Sequence, residues 1–297
     1  MIDAATRGAP MVAVTGASGF IGRHVLAELI RRGISPTLLL RPGTALPPHA
    51  EACKLVRVEL AAPGDQAFDA AGRPDVLIHL AWGGLPNYRS LHHFEQEAPL
   101  HYRWLKGLVG AGLQHLVAAG TCFEYGMQSG ALDEEMALQP ANPYGFAKDM
   151  LRRQLTCLQS EQAFGLTWAR LFYLYGEGQA ANSLWPLLQA AAARGDTDFP
   201  MSGGEQLRDY LPVAEAARCL VELAISRTTP QRGNGIVNVC SGRPVSVRGL
   251  VEGWIADNSW SIQPRLGHFP YPDYEPMAFW GDAGKLRRCL NRSPETP

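Results

Sequence analysis

No apolar run in this sequence approaches the ~20 residues that a membrane-spanning helix requires, so a helix crossing a bilayer is excluded at the outset. Neither sign of charge is in surplus: 27 basic and 28 acidic side chains leave a formal net charge of −1. That balance points to neither a nucleic acid nor an anionic membrane surface as partner. Cysteine is sparse, and the six (Cys53, Cys122, Cys157, Cys219, Cys240 and Cys289) lack the paired spacing of a metal site or a disulfide framework. Free thiols in a cytoplasmic protein, with no bound metal, are expected. The first ten residues carry Asp3 and Arg7 but no apolar core, so they do not read as a secretory signal. There is no internal repeat and no low-complexity tract; only the proline-containing tail after Asn291 is expected to fray.

What the chain does have is size and apolar content, 297 residues of which 46% are hydrophobic, enough for one large domain or a large and a small one. It also has a glycine-rich stretch in a telling place, Thr15-Gly16-Ala17-Ser18-Gly19-Phe20-Ile21-Gly22. Before it runs Met11-Val12-Ala13-Val14, of strand type; after it Ile21, Val25, Leu26, Leu29 and Ile30 recur at helical spacing until Gly33 supplies the stop. A glycine turn between strand and helix aims unpaired backbone N–H groups and the positive end of the helix dipole at one spot, where a pyrophosphate fits. Gly16 serves the tight turn, Gly19 the close approach of phosphate, and Gly22 the packing of helix on strand. Ser18, Phe20, Ile21 and Arg23 join the same cofactor-binding stretch. Dinucleotide binding is the expectation; an ordinary structural turn is the alternative.

Thr37-Leu38-Leu39-Leu40 reads as the second strand, ending at Arg41-Pro42-Gly43, where a dinucleotide fold meets the adenosine ribose. An acidic residue there would repel a 2′-phosphate, but the sequence places Leu40 and Arg41, with Arg23 nearby in sequence to the glycine turn. Two unit charges ~4 Å apart are worth about 4 kcal/mol at an effective dielectric near 20, so NADP(H) is expected in preference to NAD(H). Solvated surface arginines are the alternative. Leu55-Val56-Arg57-Val58 reads as strand three, followed by Glu59 and Leu60, which are assigned to the adenine side. Asp75-Val76-Leu77-Ile78-His79-Leu80-Ala81 has the continuous apolar character of a central parallel strand, with His79 a hydrogen-bonded core residue. Ligands of open α/β sheets bind at the carboxyl ends of strands; Leu80, Ala81 and Trp82 are therefore assigned to the cofactor and Gly83 to the substrate. Residues 91–112 are helical by pattern despite Pro99, and Leu116-Val117-Ala118-Ala119 gives strand five.

That strand runs into Gly120-Thr121-Cys122-Phe123-Glu124-Tyr125-Gly126, and twenty-three residues beyond Thr121 comes Tyr144-Gly145-Phe146-Ala147-Lys148. Tyrosine and lysine four apart share one helix face, so a cation can sit beside a phenol. The phenol's ordinary pKa is ~10, and acid–base work near neutrality wants it about three units lower, or ~4 kcal/mol. A lysine ~5 Å away supplies about 3 kcal/mol. Thr121 would hold the substrate oxygen by a second hydrogen bond.

With these residues in place the chain resembles an extended short-chain dehydrogenase/reductase of the NAD-dependent epimerase/dehydratase family. The likeness runs through Thr15 to Gly22, Asp75 to Ala81, the trio Thr121, Tyr144 and Lys148, and Arg170-Leu171-Phe172-Tyr173-Leu174-Tyr175-Gly176. It continues through Arg208-Asp209-Tyr210 and Asn238-Val239-Cys240-Ser241-Gly242. The resemblance implies an α/β, Rossmann-like doubly wound parallel sheet over residues 10–175 with parts of 205–240. A small C-terminal substrate-binding lobe would come from residues 176–204 and 241–290. It also implies a homodimer packed through the helix around residues 91–112 and the Leu151, Leu155 and Leu158 stripe, burial within one subunit being the alternative for that stripe.

Two departures narrow the reaction. The family's dehydratases carry an Asp-Glu pair after the catalytic threonine; Cys122 and Phe123 stand there, so dehydration is discounted. The second strand lacks the acidic residue of members that retain NAD tightly, which disfavours epimerisation. The resemblance therefore implies a reductase of the 4-keto group of a dTDP-, GDP- or CDP-linked 4-keto-6-deoxyhexose, in deoxysugar biosynthesis. A nucleotide-sugar 4-epimerase and a non-catalytic NAD(P)-binding sensor are the rivals, and Cys122 as an acid–base residue is a narrower variant set against a small buried thiol. Gly83, Cys122, Phe123, Tyr173 and Asn182 are assigned to the substrate. Arg208 is assigned to its diphosphate, because a guanidinium bonds two phosphate oxygens at once, with an Arg208–Asp209 surface pair as the alternative. Arg243 is a second phosphate candidate. Trp185 is either a substrate contact or core; Trp254, Trp260 and Trp280 are expected to pack, and Asp282 to cap the closing helix.

Overall fold

A computed structural model of the chain describes residues 10–226, 235–271, 273 and 275–291; the expected fraying tail and the first nine residues lie outside these. The strands are β1 (Val12–Thr15), β2 (Thr37–Leu40), β3 (Lys54–Arg57), β4 (Val76–His79), β5 (His115–Thr121), β6 (Gly130–Leu132), β7 (Gly165–Leu171) and β8 (Tyr173–Tyr175). They continue as β9 (Asp198–Pro200), β10 (Leu207–Arg208), β11 (Tyr210–Pro212), β12 (Gly235–Val239), β13 (Val245–Ser246), β14 (Gln263–Arg265) and β15 (Phe279–Gly281). The helices are α1 (Phe20–Arg31), α2 (Gly64–Ala71), α3 (Ala98–Gly110), α4 (Pro143–Gln159), α5 (Leu184–Arg194), α6 (Val213–Ile225), α7 (Val247–Asp257) and α8 (Gly284–Cys289).

Seven strands form one parallel sheet in the order β12-β7-β5-β4-β1-β2-β3. Successive side chains of a strand point to opposite faces, and the two cores follow from that alternation. Val12, Val14, Val76 and Ile78 pack with Val25, Leu26 and Leu29 of α1 and Leu220 of α6. Ala13, Leu77 and Leu116 pack on the other face with Phe68 of α2, Trp104 and Leu108 of α3 and Leu151 of α4. Burial on both faces is why β4 reads as a continuous apolar run. The strand order reverses between β1 and β4, which opens a crevice at their carboxyl ends.

The expected Rossmann-like sheet is present, with differences at its margins. β3 begins one residue earlier than expected and is largely exposed, as befits an edge strand. Residues 91–112 divide into a wide π-helical turn at His93–Glu97 and then α3, with Pro99 in the first turn, where its missing N–H forfeits no internal bond. Leu151, Leu155 and Leu158 do not form an outward stripe: all three are buried against α3 and the sheet, within one subunit. A separate apolar cluster joins Leu188, Phe199, Met201, Val251, Trp254 and Ile262, with Trp185 and Trp260 packed against it; Trp280 is half-buried in β15. Asp282 Oδ1 accepts the Gly284 N–H at 2.6 Å where α8 begins. The remaining short strands form separate two-stranded pairs, β8 with β11, β6 with β15, β9 with β14 and β10 with β13.

Candidate active site

The crevice at the β1/β4 reversal is a cleft of about 500 Å³. Gly16 turns the chain at φ +73°, and a Cβ there would lie 2.7 Å from the Ala81 amide nitrogen. Only a bare backbone allows the turn to lie this close to the end of β4. Gly19 precedes α1 and donates to the Gly16 carbonyl at 3.0 Å, and Gly22 packs so closely that a Cβ would sit 2.0 Å from that same carbonyl oxygen. Gly16, Ser18 and Gly19 form one wall; Arg41, Glu59 and Leu60 close the far end, and Leu80, Ala81, Trp82 and Gly83 run along the floor. The shape, the glycine cradle and the helix terminus fit a dinucleotide. Phe20, Ile21 and Gly22 belong to the first turn of α1 rather than to the lining. Two expectations are corrected. Gly83 lines this cleft and not the substrate cavity. Arg23 does not line the cleft; its guanidinium lies against Gly178, where an added Cβ would come within 2.5 Å of Arg23 Nη1.

Thr121, Tyr144 and Lys148 come together as expected. Asn142 caps α4, accepting the Gly145 N–H at 2.8 Å, and Gly145 lets that terminus abut the Cys122–Tyr125 turn, since a Cβ would stand 2.5 Å from the Phe123 carbonyl oxygen. Thr121 caps that turn, accepting from Phe123 N at 3.3 Å, and its hydroxyl acts to lower the Tyr144 pKa against the larger effect of burial. Lys148 Nζ donates to the Ala119 carbonyl at 2.9 Å and lies 5.8 Å from the Tyr144 ring centroid. Tyr144 is only 9% exposed and is ringed by Trp82, Tyr88, His93 and Phe123 at centroid separations of 5.3–6.4 Å.

The protonation balance departs from the expectation that lysine lowers the phenol. Burial raises the Tyr144 pKa above its ordinary value, and burial lowers that of Lys148 to about 7. Desolvation is the largest influence on both groups, and the ammonium is held by the Trp82 face and the Ala119 carbonyl.

Beyond the trio lies a second cavity of about 330 Å³ lined by Tyr88, Phe123, Tyr173, Tyr175, Tyr210 and Glu275, with Trp185 and Trp254 at one side. Phe123 and Tyr173 are thus where a substrate contact requires. Trp82 lines the first cavity and Tyr88 and Phe123 the second; the Tyr144 ring neighbours all three and Lys148 lies on Trp82, although none of the trio itself lines either cavity. Cys122 is buried with Tyr125, Phe172 and Cys240, and burial raises its thiol pKa. The acid–base variant is set aside on that ground. Asn182 and Arg243 are exposed and line neither cavity, although neighbouring Ser183 lines the second. Arg208 is 3% exposed, and its Nη2 donates to Glu275 Oε2 at 3.0 Å, its Nη1 to the carbonyls of Leu207 and Met277. It is not half of a surface pair: Asp209 is buried separately, accepting from Ser241 N, Gly242 N and Gly281 N at 2.7, 2.8 and 3.3 Å.

Several site residues escaped the sequence reading. Glu275 accepts from Tyr173 Oη at 2.5 Å as well as from Arg208. Glu124 Oε1 accepts from Thr121 N at 2.9 Å and Trp168 Nε1 at 2.9 Å, and its Oε2 from Arg170 Nε at 2.7 Å. Glu97 Oε2 accepts from Gly83 N at 2.6 Å and bonds His101 Nε2 at 3.2 Å. Glu124 alone had a local signal, its place three residues after a capping threonine.

Comparison with known proteins agrees with this geometry. A sequence profile of the NAD dependent epimerase/dehydratase family matches residues 12–240. A dTDP-6-deoxy-L-talose 4-dehydrogenase (NAD(+)) of Aggregatibacter actinomycetemcomitans is 31% identical over 272 residues, spanning 91% of this chain and 98% of that protein. A dTDP-6-deoxy-L-talose 4-dehydrogenase (NAD(P)(+)) of Kitasatospora kifunensis is 27% identical, over 88% of this chain and 83% of that one. Among solved structures, MoeE5 in complex with UDP-glucuronic acid and NAD superposes with a TM-score of 0.79 at 25% identity, covering 97% of this chain and 94% of that chain. With the glycine cradle and the Thr121–Tyr144–Lys148 trio in view, the chain belongs to the NAD-dependent epimerase/dehydratase family of nicotinamide-dependent enzymes.

Proposed function

We propose that the chain reduces the 4-keto group of a nucleotide-linked 4-keto-6-deoxyhexose. The observation that supports this is Tyr144, with Lys148 beside it, packed between Trp82 of the dinucleotide cleft and Tyr88 of the aromatic cavity. The cleft residues Gly16, Ser18, Gly19 and Arg41 would hold a reduced nicotinamide dinucleotide, which would supply the hydride. Tyr144 donates its proton to the carbonyl oxygen, Thr121 orients that oxygen, and Lys148 favours the anionic phenol that remains. The relatives named dTDP-6-deoxy-L-talose 4-dehydrogenase support the reading, since oxidation of a 4-hydroxyl is this reduction reversed. They also favour dTDP among the candidate nucleotides.

Arg41 at the ribose end of the cleft supports a preference for NADPH over NADH. Residues 176–204 and 241–290 form the lobe over the sugar nucleotide in this reading, consistent with their own apolar cluster. The homodimer is retained on a different face of α4 from the one first expected: Phe146, Met150, Arg153 and Cys157 line a broad depression with Tyr102 of α3. The six free thiols suit a cytoplasmic setting, and no helix of the described residues is long and apolar enough to cross a membrane.

The test is a panel of nucleotide-linked 4-keto-6-deoxy sugars with NADPH and NADH, followed by absorbance and product stereochemistry. One dinucleotide should be oxidised per sugar reduced. Tyr144→Phe should lose at least about 10²-fold in kcat while dinucleotide binding, read by fluorescence titration, is kept. Product formed without net dinucleotide oxidation would identify a 4-epimerase; undiminished turnover by the phenylalanine variant would remove the mechanism.

A further inference from the structure

Behind Lys148 lies a buried polar chain that the proposed reaction does not use. Thr15 Oγ1 is 2.8 Å from His79 Nδ1, His79 Nε2 is 2.7 Å from His101 Nδ1, and His101 Nε2 is 3.2 Å from Glu97 Oε2. The protons in this chain can be placed. An ionised carboxylate only accepts, so His101 carries its proton on Nε2 and presents Nδ1 as an acceptor. His79 then donates from Nε2 and accepts at Nδ1, and the Thr15 hydroxyl donates to it. Thr15 Oγ1 itself accepts from the amides of Leu80 at 3.2 Å and Ala81 at 3.4 Å, while Glu97 accepts from Gly83 N. The two ends of the chain therefore grip residues 80–83 on both sides of Trp82.

Trp82 is held in the same way. Its indole lies over His101 at 4.7 Å with 17° between the planes, and its Nε1 donates to His93 Nδ1 at 3.1 Å. His93 Nε2 in turn donates to the Asn87 carbonyl at 2.8 Å. Lys148 Nζ stands 3.8 Å from the centroid of this fixed ring. That is well within the range at which a desolvated ammonium is attracted by an indole face.

We propose that Trp82, clamped by the Thr15–His79–His101–Glu97 chain, is a positioning residue that cradles the Lys148 ammonium and keeps the cation charged in a buried site. The groups facing that cation are Tyr144 on its own helix, His79 on β4, His101 and Glu97 from α3 and its entry turn, and Glu124 after β5. Burial draws the lysine toward neutrality, whereas Glu97 and Glu124 act against it. The cradle's bearing on turnover rests on the proposed reductase activity; its effect on the lysine does not.

The test is therefore a titration of the unliganded full chain. Only four lysines occur, Lys54, Lys106, Lys148 and Lys285, so carbon NMR of Cε-labelled lysine resolves them, and Lys148→Met assigns the signal. Trp82→Leu should lower the midpoint of the Lys148 signal by about one pH unit, and Trp82→Phe by less than half of that. Glu97→Gln keeps an acceptor for Gly83 and His101 but removes the charge, and should lower the midpoint as well. The pH profile of kcat/KM should move with the midpoint in each case. Nitrogen NMR should find the proton of both His79 and His101 on Nε2. If Trp82→Leu folds with an unmoved midpoint the cradle is refuted; if it does not fold, unmoved midpoints in both Trp82→Phe and Glu97→Gln refute it. A proton on Nδ1 of either histidine overturns the clamp.

Discussion

Removing the carboxylate of Glu124 would test how the threonine of the site is held. Glu124 and Arg170 form an ion pair at 2.7 Å with neither side chain exposed, and the glutamate also accepts from Thr121 N and Trp168 Nε1. Arg170 Nη1 donates onward to Tyr125 Oη at 3.0 Å, which donates to Asn238 Oδ1 at 2.8 Å. Glu124→Ala would leave a guanidinium and two N–H donors buried without that partner. Breaking a buried pair from one side costs about 3–5 kcal/mol, a large share of the ~5–15 kcal/mol that holds a domain folded. Glu124→Gln keeps an oxygen for Thr121 and Trp168 and should cost roughly half as much. Adding Arg170→Met to it removes the stranded charge, and because apolar replacements of buried pairs are often neutral, the double variant should recover to within about 2 kcal/mol of the parent. Urea unfolding, with midpoint and slope both fitted, reads these differences. The parallel assay is kcat, which should fall in Glu124→Ala, where the Thr121 amide has lost its anchor, and return in Glu124→Gln/Arg170→Met. If Glu124→Gln and Arg170→Met each cost less than about 1 kcal/mol and simply add, the pair is not coupled and the account of how Thr121 is fixed fails.

Arg41→Ala should lower kcat/KM for NADPH by about 5–30-fold, the worth of one partly screened charge contact, with little change for NADH; an unchanged preference would remove Arg41 from cofactor selection. The Lys148 proton is held below about 7 and lost above it, so kcat/KM for reduction should be level on the acid side and fall as pH rises through about 7; a rise across that interval would refute the requirement for a charged lysine. Glu97 is lowered from 4.5 to about 2, chiefly by its hydrogen bond from His101. Its contribution to stability is present above about 4.5 and lost as pH falls toward 2, so Glu97→Gln should show a flatter urea midpoint across that window than the parent.

Sequence reasoning reached the sheet wherever a local pattern suffices. β2 was legible to the residue because Thr37 leads into three leucines bounded by Pro36 and Arg41. The edge strand β3 slipped by one residue because only its neighbour on one side constrains its register. Leu151, Leu155 and Leu158 form an apolar stripe that serves equally well for a partner subunit or for the chain's own core. Only the three-dimensional placement of α3 and β5 decides between them, and it decides for the core.

At the site the division falls between motifs and pairings. Gly16, Gly19, Thr121, Tyr144 and Lys148 announce themselves through spacing, because each works within one turn or one helix face. Glu124 with Arg170, Arg208 with Glu275, and His79 with His101 lie 46, 67 and 22 residues apart. No periodicity links such partners; they meet because parallel strands and their crossover helices bring them to one edge of the sheet. The consequence is visible in Arg208. Its sequence context pointed to a diphosphate, yet in the folded chain Glu275 already holds the guanidinium. A phosphate arriving there must compete with a carboxylate that also accepts from the Tyr173 hydroxyl, so one acidic residue ties Arg208 to the aromatic cavity. The same reasoning applies to Lys148: its place on the helix was readable, but burial and the charges of Glu124 and Glu97, together with the Trp82 face it lies on, come from separate segments and reach it only through the fold.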